Sequence, residues 1–503
     1  MVSAVRSVGL AGLAGFALSA ECYLSQGLPG FEVVGLPDAA VRESRERVRA
    51  AMKNCGFEFP VRRIVVNLAP ADIRKEGPLY DLPICLGVLA AAGELEIPPD
   101  FMGFVGELSL EGAVRPVVGM LPLCLAAREH GLTTLFVPEH NAREASLVEG
   151  LTIYPVRDLE QLIGHLREKT PIAPADNYQP SPAPVGGPDF SDVRGQENVK
   201  RALEVAAAGG HNVLMVGPPG AGKSMLARRL PTILPEMTRA EALESTAIHS
   251  VAGLVGKEQP LLPSRPFRAP HHTMSAPALA GGGRVPRPGE MSLAHNGVLF
   301  LDELPEFQRD ALESLRQPME NGEVSVSRVT GTLTYPAGFM LLCAMNPCRC
   351  GWYGHPSGRC ACSEQSVRAY YGRVSGPILD RMDIKIEVPS VSYEELSGRN
   401  TGESSETVRI RVEAARARSR ARGAGHMNAR LTPEEIQEFC RLDDAGERLM
   451  KSAFDRLGLT ARAYTRILKT ARTIADLAGS GNVEKTHLAE ALQYRQSVEP
   501  EQR

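Results

Sequence analysis

The chain has 503 residues, too many for one ordinary core, so two or three domains are expected. Its formal charge of −3 excludes a generally basic nucleic-acid coat; any polyanion contact needs positive charge gathered in a groove or pore. No apolar run is long enough to span a bilayer.

The first twenty residues, MVSAVRSVGLAGLAGFALSA, have the outline of a signal peptide. Gly9, Gly12 and Gly15 weaken a helical apolar region, so two short strands around a Gly-rich turn are expected instead, in a cytoplasmic protein. Residues 38–56 pattern as a charged amphipathic helix stopped by Gly56, 63–70 as a strand, and 82–93 as a buried helix. Residues 121–131 pattern as a further helix, followed by the strand TLFVP. Residues 1–168 thus read as an α+β domain. Cys22, Cys55, Cys85, Cys124, Cys343 and Cys440 stand singly in apolar surroundings, as reduced buried thiols do.

Residues 169–190 hold six prolines and two glycines and predict an extended linker. Residues 191–390 alternate strands and helices. In the mostly helical stretch 391–503, Ile467, Leu468, Ala471, Ile474, Ala475 and Ala478 form one core-facing stripe.

NVLMVGPPGAGKSMLARRL (212–230) reads as strand, Gly-rich loop and helix start. Gly217, Pro218, Pro219, Gly220, Ala221, Gly222, Lys223 and Ser224, followed by Met225, satisfy the phosphate-loop spacing. The glycines let successive backbone N–H groups face a phosphate, Lys223 reaches the β/γ-phosphates, and Ser224 ligates Mg²⁺. GVLFLDELPEF (297–307) predicts a buried parallel strand with Asp302 and Glu303 at its carboxyl end. There Asp302 would hold Mg²⁺ through water and Glu303 would orient or deprotonate the attacking water.

The order of phosphate loop, LFLDE, LLCAMNP and GPILDRMD resembles an AAA+ ATPase. RPFRAPHHTMSAPALAGGGRVPRPGEMSLAHNGVLFLDELPEF (265–307) resembles the Mg-chelatase-like branch and, within it, the bacterial ComM/YifB proteins. The resemblance runs through essentially the whole chain. It implies an α/β AAA+ P-loop core with a helical lid at 391–503, preceded by an α+β Lon-protease-like (S5 domain 2-like) domain. It further implies Asn346 as sensor 1, Arg381 as an arginine finger reaching a neighbouring subunit's ATP, and Arg462 as sensor 2. A homo-oligomeric ring follows, expected as a hexamer. DNA would be the polymer it works on, in branch migration during recombination and natural transformation, with recombination proteins as possible partners. The motor subunit of a magnesium chelatase is the rival reading, with the N-terminal domain arguing against it. A non-proteolytic remodeller of protein complexes is another.

GEVSVSRVTGTLTYPAG (322–338) reads as a hairpin that the resemblance places before sensor 1, able to point into a pore. Arg328 at its turn is either a phosphate contact or a solvated edge residue. VRIRVEAARARSRARGAGHMNAR (408–430) carries seven arginines and one acid. It reads equally as a phosphate-tracking surface or as a solvated helix face.

RKEGPLYDLPICLG (74–87) resembles the Lon segment that carries the nucleophilic serine, with Leu79 in the serine's place; Leu121 falls where Lon has its catalytic lysine. Leucine offers neither hydroxyl nor amine, so no Ser–Lys peptidase is expected.

Cys348, Cys350, Cys360 and Cys362 form two C-x-C pairs within residues 346–363. A structural Zn²⁺ held by four thiolates is the favoured reading, with His355 as a substitute ligand; free thiols and redox-active pairs are the others. Trp352 and Tyr353 in the same loop read either as stacking residues or as core.

Overall fold

The computed structural model describes residues 2–178, 187–283, 286–328, 331–397, 402–423 and 425–495, with backbone only at Arg328 and Leu396. The chain divides into two compact units. One comprises Met1–Pro182 and Ala242–Pro263, the other Ala183–Glu241 and Ser264–Arg503. The division is therefore not the single linear break suggested by the Pro-rich stretch: residues 242–263, inside the expected core, belong to the first unit.

The first unit is built on a seven-stranded mixed sheet. Val2–Ala11 and Ala14–Ser25 form the expected opening hairpin, paired from Val2↔Tyr23 to Ala11↔Ala14. Arg63–Ala69 and Gly30–Val34 extend the sheet on one side; Met102–Phe104, Thr134–Pro138 and Thr152–Val156 extend it on the other. Asp81–Ala92 is almost wholly buried, as its unbroken apolar run requires. Each fully buried Leu or Val in such a helix contributes about 1.5–3 kcal/mol of transfer free energy.

The helix expected over 38–56 is two helices, Ala39–Arg42 and Ser44–Asn54. Nη2 of Arg47 donates 2.9 Å to the carbonyl of Ala40, the acceptor that a continuous helix would offer to Ser44. The side chain thus competes with the backbone ladder, and the chain breaks at Glu43. Gly56 follows with φ of +81°, ending the second helix as expected.

Leu79 is half-buried, and Leu121 is fully buried in a cluster with Val8, Cys124 and Leu135. The Lys75 ammonium is buried too, donating to the carbonyls of Pro70 and Ile73. Neither the hydroxyl nor a free amine of a Ser–Lys dyad stands at these positions.

The second unit contains a five-stranded, all-parallel sheet in the order Phe267–Arg268, Val298–Leu301, Met340–Met345, Val213–Val216, Ile384–Glu387. Val298–Leu301, Met340–Met345 and Val213–Val216 are buried throughout, which is why they read as continuous apolar runs. Helices Glu197–Gly209, Lys223–Ile233, Ser405–Ala421 and Ala461–Ala478 share one core with this sheet. In the last helix Ile467, Leu468, Ala471, Ile474 and Ala475 are buried, whereas Ala478, at its end, is exposed. No helix among the described residues is long and apolar enough to cross a membrane.

Glu323–Arg328 and Gly331–Pro336 pair as the expected antiparallel hairpin. Val329 and Thr330 of its turn lie outside the described residues.

Candidate nucleotide site

Parallel strands bring their carboxyl ends to one edge of a sheet. Here that edge gathers Gly217 after Val213–Val216, Asp302 and Glu303 after Val298–Leu301, and Asn346 after Met340–Met345. Residues separated by more than a hundred positions thereby become neighbours.

The phosphate loop turns through Gly220 and Gly222, with φ of +77° and +85°, which a side chain would strain. Lys223 opens the helix Lys223–Ile233, so the positive end of that helix faces the loop. The Lys223 ammonium is buried and donates to the carbonyls of Gly217 (2.7 Å) and Pro218 (2.9 Å) and to Oδ1 of Asn346 (3.0 Å). Burial lowers its proton affinity, against the pull of the Asp302 and Glu303 charges. Ser224 Oγ donates to Oδ2 of Asp302 at 2.6 Å. A hydroxyl and a carboxylate meeting at a phosphate loop are the donor set for a hard divalent cation such as Mg²⁺.

Glu303 has φ of +53°, uncommon for a residue with a side chain and costing about 1–3 kcal/mol. Its Oε2 lies 3.0 Å from Nδ1 of His272. His272 escaped the sequence reading: it sits in a loop between elements, and only the tandem His271-His272 marks it. Gln196 escaped as well. It too is left-handed, φ +58°, and its Nε2 donates to the carbonyls of Ala221 (2.7 Å) and Pro389 (3.1 Å), bracing the phosphate loop. A polar residue between Gly195 and a helix start is the only cue its sequence offers.

Arg381 is not part of this cluster. It is largely buried, ion-paired with Glu320, and donates 2.7 Å to the carbonyl of Pro377. Its sequence neighbours Asp380 and Asp383 are not its partners. Asp383 instead accepts from Arg466 at 2.6 Å and from the backbone N–H of Asn212 at 3.0 Å, with His211 at 3.6 Å. Arg462 is exposed in the first turn of Ala461–Ala478, with no side-chain partner among the described residues. Arg328 ends a hairpin strand, and its side chain lies outside the described atoms.

Sγ atoms of Cys348, Cys350, Cys360 and Cys362 all lie within 4.8 Å of one another. Cys348 is 3.3 Å from Cys350 and 3.8 Å from Cys360, and Cys350 is 3.6 Å from Cys360. A tetrahedral zinc with bonds of about 2.3 Å places its sulfurs about 3.8 Å apart, so these four fit such an ion. None is a disulfide. His355 is not among the four; its ring nitrogens face Ser357 and Ser390. Trp352 packs edge-on against His355 and under the guanidinium of Arg359. It is half-buried, neither fully exposed nor part of a buried core. The loop also leans on the nucleotide site: a Cβ on Gly351 would fall 2.5 Å from Pro219 of the phosphate loop.

Part of the arginine-rich stretch is held by partners within the fold, whereas Arg420 and Arg430 are exposed. Arg411 bonds Glu204 and Glu403, Arg418 donates to the carbonyl of Asp476, and Arg422 pairs with the Asp476 carboxylate. The helix of this stretch runs over Ser405–Ala421.

Three families cover most of the chain. "Magnesium chelatase, subunit ChlI" matches residues 189–396, "Subunit ChlI of Mg-chelatase" matches 20–141, and "Magnesium chelatase, subunit ChlI C-terminal" matches 402–495. Competence protein ComM of Haemophilus influenzae is 46% identical over 489 residues, spanning 95% of this chain and 94% of that protein. The chain belongs to the ComM/YifB family of Mg-chelatase-like AAA+ ATPases. YifB of Escherichia coli is 44% identical over 484 residues, 95% of this chain and 94% of YifB. Lon protease of Mycolicibacterium smegmatis is 29% identical over 170 residues, covering 31% of this chain and 22% of that protein. The family therefore joins a P-loop core to an N-terminal Lon-like portion. Because residues 20–141 match a family whose description also reads ChlI, the N-terminal domain does not by itself separate this chain from a chelatase motor.

Proposed function

We propose that the chain hydrolyses ATP in a ring of its own copies, expected as a hexamer, and uses the cycle to move along DNA and migrate branches in recombination, including natural transformation. One observation carries the reading: Lys223, Ser224, Asp302, Glu303 and Asn346 converge at one sheet edge. Lys223, now satisfied by carbonyls, exchanges them for phosphate oxygens. Ser224 and Asp302 would hold Mg²⁺, which would supply charge neutralisation to the phosphates. Glu303 takes the proton of the attacking water, and Asn346 positions that water. Arg381 serves the neighbouring subunit's nucleotide, and Arg462 closes the lid over its own. Arg328 contacts DNA phosphates, and zinc braces the four-cysteine loop beside the phosphate loop. The competence role in the name of the Haemophilus relative supports DNA as the polymer.

A chelatase-type motor, driving metal insertion into a porphyrin, is the second reading, favoured by the descriptions of the matching families. Synthetic Holliday and three-way junctions separate them. The proposal expects strand exchange with ATP and none with a non-hydrolysable analogue, and turnover that rises with DNA. Turnover that ignores DNA and rises only with chelatase partner subunits overturns it.

A further inference from the structure

Arg416 differs from Arg411 and Arg422, which pair with carboxylates. Its Nε and Nη2 donate to the carbonyl of Ala207 at 3.1 and 2.6 Å, and no carboxylate bonds it among the described residues. It lines a cavity of about 40 Å³ with Arg265 and Arg430. Arg265 is already satisfied, paired with Glu241 and donating to the carbonyls of Pro235 and Asn296. The Arg430 side chain has no hydrogen bond or ion pair among the described residues. Its guanidinium lies 3.1 Å from where a Cβ on Gly338 would sit and 3.6 Å from the same point on Gly322. Those glycines flank the hairpin strands Glu323–Arg328 and Gly331–Pro336, so Arg430 stands at the hairpin's base.

The cavity is not the nucleotide site. Gly210, Gly297 and Met340 line it, and they precede or begin the parallel strands whose carboxyl ends hold Lys223 and Asp302. It lies at the opposite edge of the sheet. Burial disfavours the Arg416 cation, the charges of Arg265 and Arg420 add to that, and only Glu241 opposes them. Two guanidinium groups without an acid, around a space the size of one tetrahedral oxyanion, make a site that lacks its counter-charge.

We propose that this cavity binds phosphate, with Arg416 and Arg430 as its ligands. The phosphate comes from a nucleic-acid backbone or from a small polyphosphate. The first source rests on the DNA reading above, and the second does not. A phosphodiester held here would continue the track from the hairpin to the body of the unit.

The test uses full-length protein with the phosphate loop filled by Mg²⁺ and a non-hydrolysable ATP analogue. Wild type, Arg430→Ala, Arg416→Gln and the surface control Lys451→Ala are compared. Single-stranded DNA binding is followed against salt, and thermal protection by tripolyphosphate is measured. The DNA form expects Arg430→Ala to lower the log–log salt slope by about 0.7, as loss of one phosphate contact does, with Lys451→Ala unchanged. If wild type binds no DNA yet tripolyphosphate protects it and not Arg430→Ala, the site stands as a small-polyphosphate site and the DNA reading fails on its own. Equal slopes and equal protection in wild type and Arg430→Ala overturn the proposal. Arg430 is exposed, so that variant decides the matter even if Arg416→Gln does not fold.

Discussion

Lys223 and Asn346, 123 positions apart, meet in a hydrogen bond of 3.0 Å. The bond makes the phosphate-loop cation and the polar end of a different strand one unit, so the two should fail differently. Lys223→Ala should abolish nucleotide binding, since no other ammonium is buried in the loop. Asn346→Ala should keep binding and lose about 10²-fold in turnover, the usual cost of one positioned polar group. Equilibrium binding of a fluorescent nucleotide beside steady-state turnover checks both.

Glu303 and His272 invite a second comparison. Glu303→Gln should leave nucleotide bound and turnover down about 10²–10⁴-fold, as loss of a general base does. His272→Ala removes only the partner at 3.0 Å. It should change kcat by less than about 10-fold and leave nucleotide affinity alone. An effect of His272→Ala as large as that of Glu303→Gln would make the histidine the base.

Arg381 is held by Glu320 within its own subunit. If that pair were merely structural, Arg381→Ala and Glu320→Gln would act alike. The proposed role expects Arg381→Ala to cost about 10³–10⁵ in turnover and Glu320→Gln to retain most of it. Mixed rings of Arg381→Ala and Glu303→Gln subunits should recover part of the rate, because each supplies what the other lacks.

The four-cysteine loop should carry close to one zinc per chain in protein purified without added metal. Cys360→Ser should lower that content and the thermal midpoint together. Because Gly351 packs on Pro219, the same variant should also weaken nucleotide binding.

Asp383 gives a pH signature. Burial alone would raise its pKa, but His211, Arg466 and the Asn212 N–H hold it down at about 2, below the ordinary aspartate value of 3.8. The folded carboxyl thus binds its proton less readily than the unfolded one. The stability it adds is complete above pH 3.8 and is lost as pH falls toward 2, an effect on the order of 2 kcal/mol. Asp383→Asn should lower the thermal midpoint at neutral pH and show a shallower fall through that acid window. Parallel curves for the two proteins would refute the assignment.

The nucleotide cluster was legible because each part is local. A strand end followed by Gly217 to Ser224, another by Asp302-Glu303 and a third by Asn346 can be read one at a time, and parallel pairing then forces them together. Gln196 and His272 were not legible, since each matters only through a contact made far away in sequence. The arginines of Ser405–Ala421 misled for the same reason. Glu204 and Glu403 hold Arg411, and Asp476 takes Arg418 through its carbonyl and the adjoining Arg422 through its carboxylate. The broken helix at Glu43 turned on one side chain, Arg47, reaching a carbonyl seven residues back.

Leu243, Ala247 and Leu261, from the segment 242–263, pack with Val8, Leu121 and Leu135. The polypeptide therefore crosses between its two bodies more than once, and neither can be excised by a single cut at the proline-rich stretch. A gene fragment starting there would strand those apolar side chains in water. These halves are stitched rather than strung.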